Sequence, residues 1–409
     1  MTMQHNVDNQ LMSLGSYSPI EWLLEAGHLN YSDYEAWRMG EIDNLEKHID
    51  APTKELINKL EQAERFCAKL GLSGETQDYR GWNQDNAFKE LTLSQSPTLT
   101  SLLNKQWLRQ DDAPQMDLFM DNPSVVTENK LIEALASRQW DDADKLVDQL
   151  YQQDANHAQL HGYEDLVSFG HHTEAPIDAD PHNHLETIDE ERIGLEQEII
   201  PLARQLLQQK SRDYLAPAWQ RIAQSLEGQP YNIAYPQSHA SYAWEQMQNW
   251  KEAKHSILSD DSYIHHGELL FRLSLAYHFL KERELSVITL IQLIDLKANH
   301  ADSELDDSLE NFLNLYPDAN FIASWQRFMD LEEEQPFIVF PGWILLNETG
   351  LMHHIEPAQI KPIKNSSFHA VYELLLTKQN NNEPEELEAR KTLKNINALL
   401  LTLYLRNRK

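Results

Sequence analysis

Apolar residues recur along this chain at steps of three and four, the spacing of helices that bury one face. From Lys54 to Leu70 the stripe Leu56, Leu60, Ala63, Cys67 and Leu70 steps by four, three, four and three, and Gly71 closes the helix. Upstream, Pro19 to Ala26 and Tyr34 to Met39 predict short helices stopped by Gly27 and Gly40, the second opened by the capping-box spacing of Ser32 and Glu35. Residues 1–17 are expected to form a disordered tail. Between Leu72 and Val126 the pattern weakens: Leu91 to Leu93 reads as a short extended piece, Leu99 to Leu108 as a helix, and a boundary is expected near Asn122-Pro123.

Three windows share one internal order. In the 34 residues from Gly267 to His300, Leu270, Leu273, Ser274 and Tyr277 share one helix face, Lys281 to Glu284 is a polar connection, and Ser286, Leu290, Leu293 and Ala298 line a second helix. Ala234 to Gly267 repeats this with Trp244 and Met247, then Trp250 at the turn, then Ala253 and Ile257. Glu128 to His157 repeats it with Leu131, Ala134 and Leu135, then Trp140, then Ala143, Leu146, Val147 and Leu150. Its ending, Asp154-Ala155-Asn156-His157, parallels Lys297-Ala298-Asn299-His300. Each window reads as two amphipathic helices joined by a short turn.

The pattern resembles the tetratricopeptide repeat, whose period is 34 residues and whose signature alternates large and small contact positions; Ala298 stands where that family usually has proline. The resemblance implies stacked hairpins with a concave face. On it would lie Tyr235, Ser238, Tyr242, Glu245, Glu268, Phe271, Leu275, His278 and Phe279, a partly aromatic, slightly acidic groove suited to a basic and apolar peptide or helix. Family members that clamp chaperone C-termini need Lys, Asn and Arg there. Arg272 occupies one such position, but Glu268, Ser238 and Tyr242 stand at others, so that ligand is not expected.

The expected architecture is all-α: an N-terminal helical domain (18–122), a tetratricopeptide-like array forming a degenerate α-solenoid (123–334), and a C-terminal helical cap (335–409). A His-rich loop at 168–188 interrupts the array. Helices resume at Asp189 to Gln209, which Pro201 is placed to kink, and at Asp213 to Leu226. A degenerate hairpin covers Ser303 to Leu315 and Asn320 to Leu331. In the cap, Phe337 to Phe340 is β-compatible, and helices follow at Trp343 to Glu348, Phe368 to Lys378 and Glu385 to Leu405, the last striped by Leu387, Leu393, Ile396, Leu400 and Leu403.

Charge narrows the partners. The chain carries 65 acidic against 34 basic residues, a formal charge of −31, which disfavours nucleic acid as a ligand. Ala301 to Glu334 holds ten acids and one base, whereas Lys361 to Lys409 holds nine bases and five acids. The longest apolar run, Phe337 to Leu346, is too short for a bilayer and is broken by Pro341-Gly342. A single cysteine, Cys67, on a core stripe allows no internal disulfide, and Met1 to Gly15 lacks a secretion signal, so the expected location is cytoplasmic.

No catalytic motif stands out. His171, His172, His182 and His184, with Asp178, Asp180 and Glu186, could hold zinc, but the helical HExxH signature is absent and a solvated polar loop is the favoured reading. Most tryptophans, Trp140 and Trp250 among them, read as packing residues. The expected function is therefore a non-enzymatic, cofactor-free protein-interaction scaffold or adaptor. Two alternatives stay open: a metal-dependent hydrolase built on His171 to Glu186, and an acidic regulator that mimics nucleic acid through faces such as Asp302 to Glu310. The partner, pathway and oligomeric state are not encoded legibly.

Overall fold

A computed structural model describes residues 3–13, 15–82, 91–108, 123–178, 182–300, 313, 316–331, 335–355, 363, 366–380 and 382–406. The chain is mostly helical and divides into two compact units, Met1–Asn249 and Trp250–Lys409, rather than at the boundaries expected near 122 and 334. The N-terminal elements and the first hairpins thus share one core.

The first unit begins with a helix where a disordered tail is expected. In α1 (Met3–Ser13) Val7 and Leu11 are buried, and Gln10 ties the helix down: its Oε1 accepts from the Ser18 N–H at 3.1 Å and its amide donates to Glu25 at 2.7 Å. Met3, Val7 and Leu11 step by four along one face, a stripe of three residues that suffices once a partner surface exists. Helices α2 (Pro19–Glu25) and α3 (Tyr31–Arg38) follow, with Gly27 and Gly40 at left-handed φ of 64° and 80° just beyond them. Asn30, not Ser32, holds the cap position of α3. The long helix α4 (Thr53–Lys69) buries Leu56, Leu60, Ala63 and Cys67, as its stripe predicts.

The N-terminal elements are not purely helical. Strands β1 (Ser16–Tyr17), β2 (Ser73–Thr76) and β3 (Lys105–Leu108) form an antiparallel sheet in the order β1-β3-β2, with Trp107 opposite both Tyr17 and Gly74. The expected helix Leu99 to Leu108 is therefore two elements, α5 (Pro97–Leu103), capped by Ser96, and β3. Pairing with segments some 30 and 90 residues away in the chain decides this, and local periodicity cannot register such a pairing. At Leu91 to Leu93 the structure has an isolated bridge, Asn44 to Thr92.

Seven further helices follow among the described residues of the unit: α6 (Pro123–Ala136), α7 (Trp140–Gln153), α8 (Leu160–His172), α9 (His184–Gly194), α10 (Ile200–Leu207), α11 (Ser211–Ser225) and α12 (Ala240–Gln246). A π-helical turn at Leu195–Ile199 joins α9 to α10, absorbing Pro201 at the start of α10. The His-rich loop is shorter than expected: His171 and His172 end α8 and His184 opens α9. Trp140 packs on Gly170, where an added Cβ would lie 2.6 Å from the indole, and meets Tyr214 edge-on at 5.8 Å.

The second unit contains α13 (Trp250–Leu258), α14 (Gly267–Phe279), α15 (Arg283–His300), α16 (Ala319–Met329), α17 (Phe340–Asn347), α18 (Ser366–Gln379), α19 (Glu383–Ile396) and α20 (Ala398–Arg406). Its core is aromatic: Phe340 meets Phe321, Trp325, Phe328 and Trp343 at 4.7 to 5.9 Å. Phe337–Val339 is a 3-10 turn rather than extended. The expected terminal helix Glu385 to Leu405 breaks at Asn397, whose side chain caps the Leu400 N–H at 3.0 Å. Of the expected stripe, Leu393 and Leu400 are buried while Leu387 and Ile396, both before the break, are exposed. The expected helix Ser303 to Leu315 lies, apart from Leu313, outside the described residues, as does the acidic run Asp302 to Glu310.

The repeated windows meet in their turns. Arg138, Gln248 and Lys281 all adopt left-handed φ, at 60°, 57° and 64°. In each case the next N–H bonds back five residues: Gln139 to Ala134 at 2.9 Å, Asn249 to Trp244 at 2.9 Å and Glu282 to Tyr277 at 2.8 Å. This is the Schellman geometry, built three times without glycine.

Candidate functional site

The nine groove candidates fall on both sides of the division between the units. In the first, Ser238 is buried and donates to Asp189 at 2.8 Å, and Tyr242 donates to Glu196 at 2.7 Å; Tyr235 and Glu245 are half-buried. In the second, Phe271 and Leu275 are buried in the aromatic core, Phe279 stacks on Trp250 at 4.4 Å, and Glu268 and His278 are half-buried. Ser238, Phe271 and Leu275 therefore serve packing rather than an open groove. The reason is that α12 and α14 are buried on more faces than the repeat pattern assumes: Leu269 to Tyr277 is an unbroken buried run. Arg272, at the one clamp-like position, is buried as well.

The four histidines do not converge. His171 bonds Asp144 at 2.8 Å, His172 bonds Glu191 at 3.0 Å and lies 3.2 Å from Arg221, and His184 bonds the Ser225 carbonyl at 2.9 Å. His182 lies beside His184 at a separate surface pocket with Glu186 and Tyr235. Asp178 is exposed, and Asp180 lies outside the described residues. Among the described residues, the group whose ligand atoms lie close enough to share an ion is Asp141, Asp144 and His171, within 4.8 Å of one another. Only His171 belongs to the expected set. Cys67 is fully buried, and burial pushes its thiol up to about 12, the inert state expected of it.

Two other arrangements come from tertiary structure. The first is an acidic face. Asp141, Asp144, Asp148 and Tyr151 follow one another at helical spacing on α7 and all are exposed; on the neighbouring α8, Glu164 and His161 are exposed along the stripe that ends at His171. The His171–Asp144 bond joins the two stripes. That bond first, and then the attraction of Asp144 and Glu174, raises the His171 imidazole above its ordinary value.

Comparison of the chain with protein-family models, curated proteins and solved structures finds no match.

The second arrangement is a pocket of about 260 Å³ in the first unit, lined by Glu21, Tyr34, Arg38, Tyr79, Gln209 and Asp213 among others. Asp213, at the start of α11, accepts from the Tyr34 hydroxyl at 3.2 Å and lies 3.6 Å from Arg38. Arg38 donates to Tyr34 at 2.7 Å and to the Arg80 carbonyl at 3.0 Å and lies over the Trp82 ring at 4.6 Å. Arg138, the left-handed residue of the first repeat turn, covers Trp82 at 4.3 Å and pairs with Glu35 at 2.8 Å. Arg212 reaches Glu21 at 3.2 Å. Burial nevertheless dominates: it pushes the Glu21 carboxyl up to about 7, against the pull of Arg212, and raises Asp213 despite three arginines. Tyr34 and Arg38, four residues apart on α3, were the available sequence signal for one wall; the others come from segments with no shared period.

Proposed function

We propose that the protein is a non-catalytic adaptor that binds a basic, partly apolar segment of another protein, and that the acidic face of α7 and α8 is its docking surface. The observation that carries this reading is the joined stripe: four exposed carboxylates, Asp141, Asp144, Asp148 and Glu164, lie on α7 and α8 with Tyr151, which is 56% exposed, and the single Lys or Arg of these two helices, Lys145, is paired with Asp142 at 2.7 Å. Aromatic residues supply contact area at an interface, and rows of like charge steer and select a complementary partner. The recurrent hairpin turn supports the adaptor reading too, because stacked hairpins present their outer side chains on a rigid frame.

The test is quantitative crosslinking in cells with the full chain and with an Asp144→Asn, Asp148→Asn, Tyr151→Ala variant. A specific partner should be captured by the parent, lost from the variant, and released as salt rises over the range where the Debye length falls below about 10 Å. Equal capture by parent and variant, or binding indifferent to salt, would overturn the proposal.

A further inference from the structure

We propose that the pocket between α2, α3, α6 and α11 binds a small organic cation, an ammonium or guanidinium compound about the size of a diamine, independently of the adaptor surface. Asp213 is 7% exposed, lines the pocket, and keeps Oδ1 without a hydrogen-bond partner among the described residues. A buried carboxylate oxygen left unsatisfied is costly, and a ligand N–H is the group that would satisfy it. Glu21 supplies a second buried carboxyl, and Tyr34 and Tyr79 line the pocket beside it, each with the Arg38 guanidinium 5.7 Å from its ring centroid.

The charges at the pocket argue against other ligand classes. Glu75, Asp78 and Glu133 add three acids to its lining. Its two bases are already engaged, Arg38 by Tyr34, the Arg80 carbonyl and Asp213, and Lys210 by Glu133. An anion would therefore meet five carboxyls and no free base. A bare metal ion is disfavoured as well, because Glu21 and Asp213 belong to no group of three ligand atoms within 4.8 Å among the described residues. A molecule that spans the two carboxyls and fills the space between them fits better.

The backbone beside the pocket turns sharply between α10 and α11. Gln208 has φ 50° and ψ −119°, a conformation that side-chain-bearing residues rarely adopt. It turns the chain so that Gln209 and Lys210 both line the pocket. Gln209 accepts from Gln106 at 2.5 Å, while its Nε2 has no hydrogen-bond partner among the described residues. That amide offers a ligand one donor beside the carboxylates, which suits a compound such as an amino alcohol or amino acid amide.

The experiment is calorimetry and thermal unfolding of the full chain with putrescine, agmatine and ethanolamine, against 1,4-butanediol and succinate. At least one cation should bind and raise the melting temperature, while the diol and the dianion do not. Glu75→Gln combined with Asp78→Asn alters only exposed rim residues, so the unliganded melting temperature should hold while affinity falls about fivefold, the size of an exposed charge interaction. Asp213→Asn should abolish binding in a chain whose helical circular dichroism is unchanged; if it does not fold, the rim variant decides. No response to any cation, equal binding of succinate, or unaltered affinity in the rim variant would overturn the proposal.

Discussion

Glu21 shows how burial can outweigh pairing at one residue. An arginine lies 3.2 Å away, yet its carboxyl titrates at about 7 rather than 4.5 because desolvation dominates, with Asp213 and Glu25 adding repulsion. The folded chain thus holds a proton that the unfolded chain has released between about pH 4.5 and 7, so folding stability falls as pH rises through this window and the loss is complete above it. The buried Asp213 acts in the same sense. Glu21→Gln should match the parent near pH 5 and gain on it as pH rises to 8, by up to about 3 kcal/mol. Urea midpoints measured across that range give the answer, and a constant difference would contradict it.

At the scale of the element, three equivalent turns have taken different tasks. Gln248 is held left-handed, and its Oε1 is buried without a hydrogen-bond partner among the described residues. Gln248→Gly should therefore stabilise the fold by about 0.5–1 kcal/mol, through relief of backbone strain and removal of that oxygen. Arg138 has the same backbone but spends its side chain on Glu35, Trp82 and the Asp213 carbonyl, 3.3 Å away. Arg138→Gly should destabilise by about 3 kcal/mol, because it leaves buried partners uncompensated. Chemical denaturation of the two variants should thus give opposite signs at structurally matched positions; the same sign in both would refute this account.

At the scale of the whole molecule, the first unit owns a continuous core that runs from α1 through α12. A chain of residues 1–249 should fold by itself, with cooperative thermal unfolding and native-like helical circular dichroism. A truncation inside that core, at residue 122, should not. If both fragments unfolded alike, the N-terminal elements and the first hairpins would be separate after all. No helix among the described residues is long and apolar enough to cross a membrane.

By itself the sequence determined the helical character, the core stripe of α4, the inert buried cysteine, and the place of the helix-ending turns at Arg138, Gln248 and Lys281. These depend on neighbours three to five residues apart, and such spacings are written in the chain. Tertiary structure alone decided the sheet through Trp107, the order of the presumed tail, the break at Asn397 and the burial of Phe271 and Leu275. It also decided both candidate sites. Asp213 and Glu21 are unremarkable acids in an acidic chain until residues nearly 200 positions apart close around them, and Asp144 meets His171 only because two helices pack side by side. Long-range pairing and desolvation made those differences, and neither leaves a local period to read.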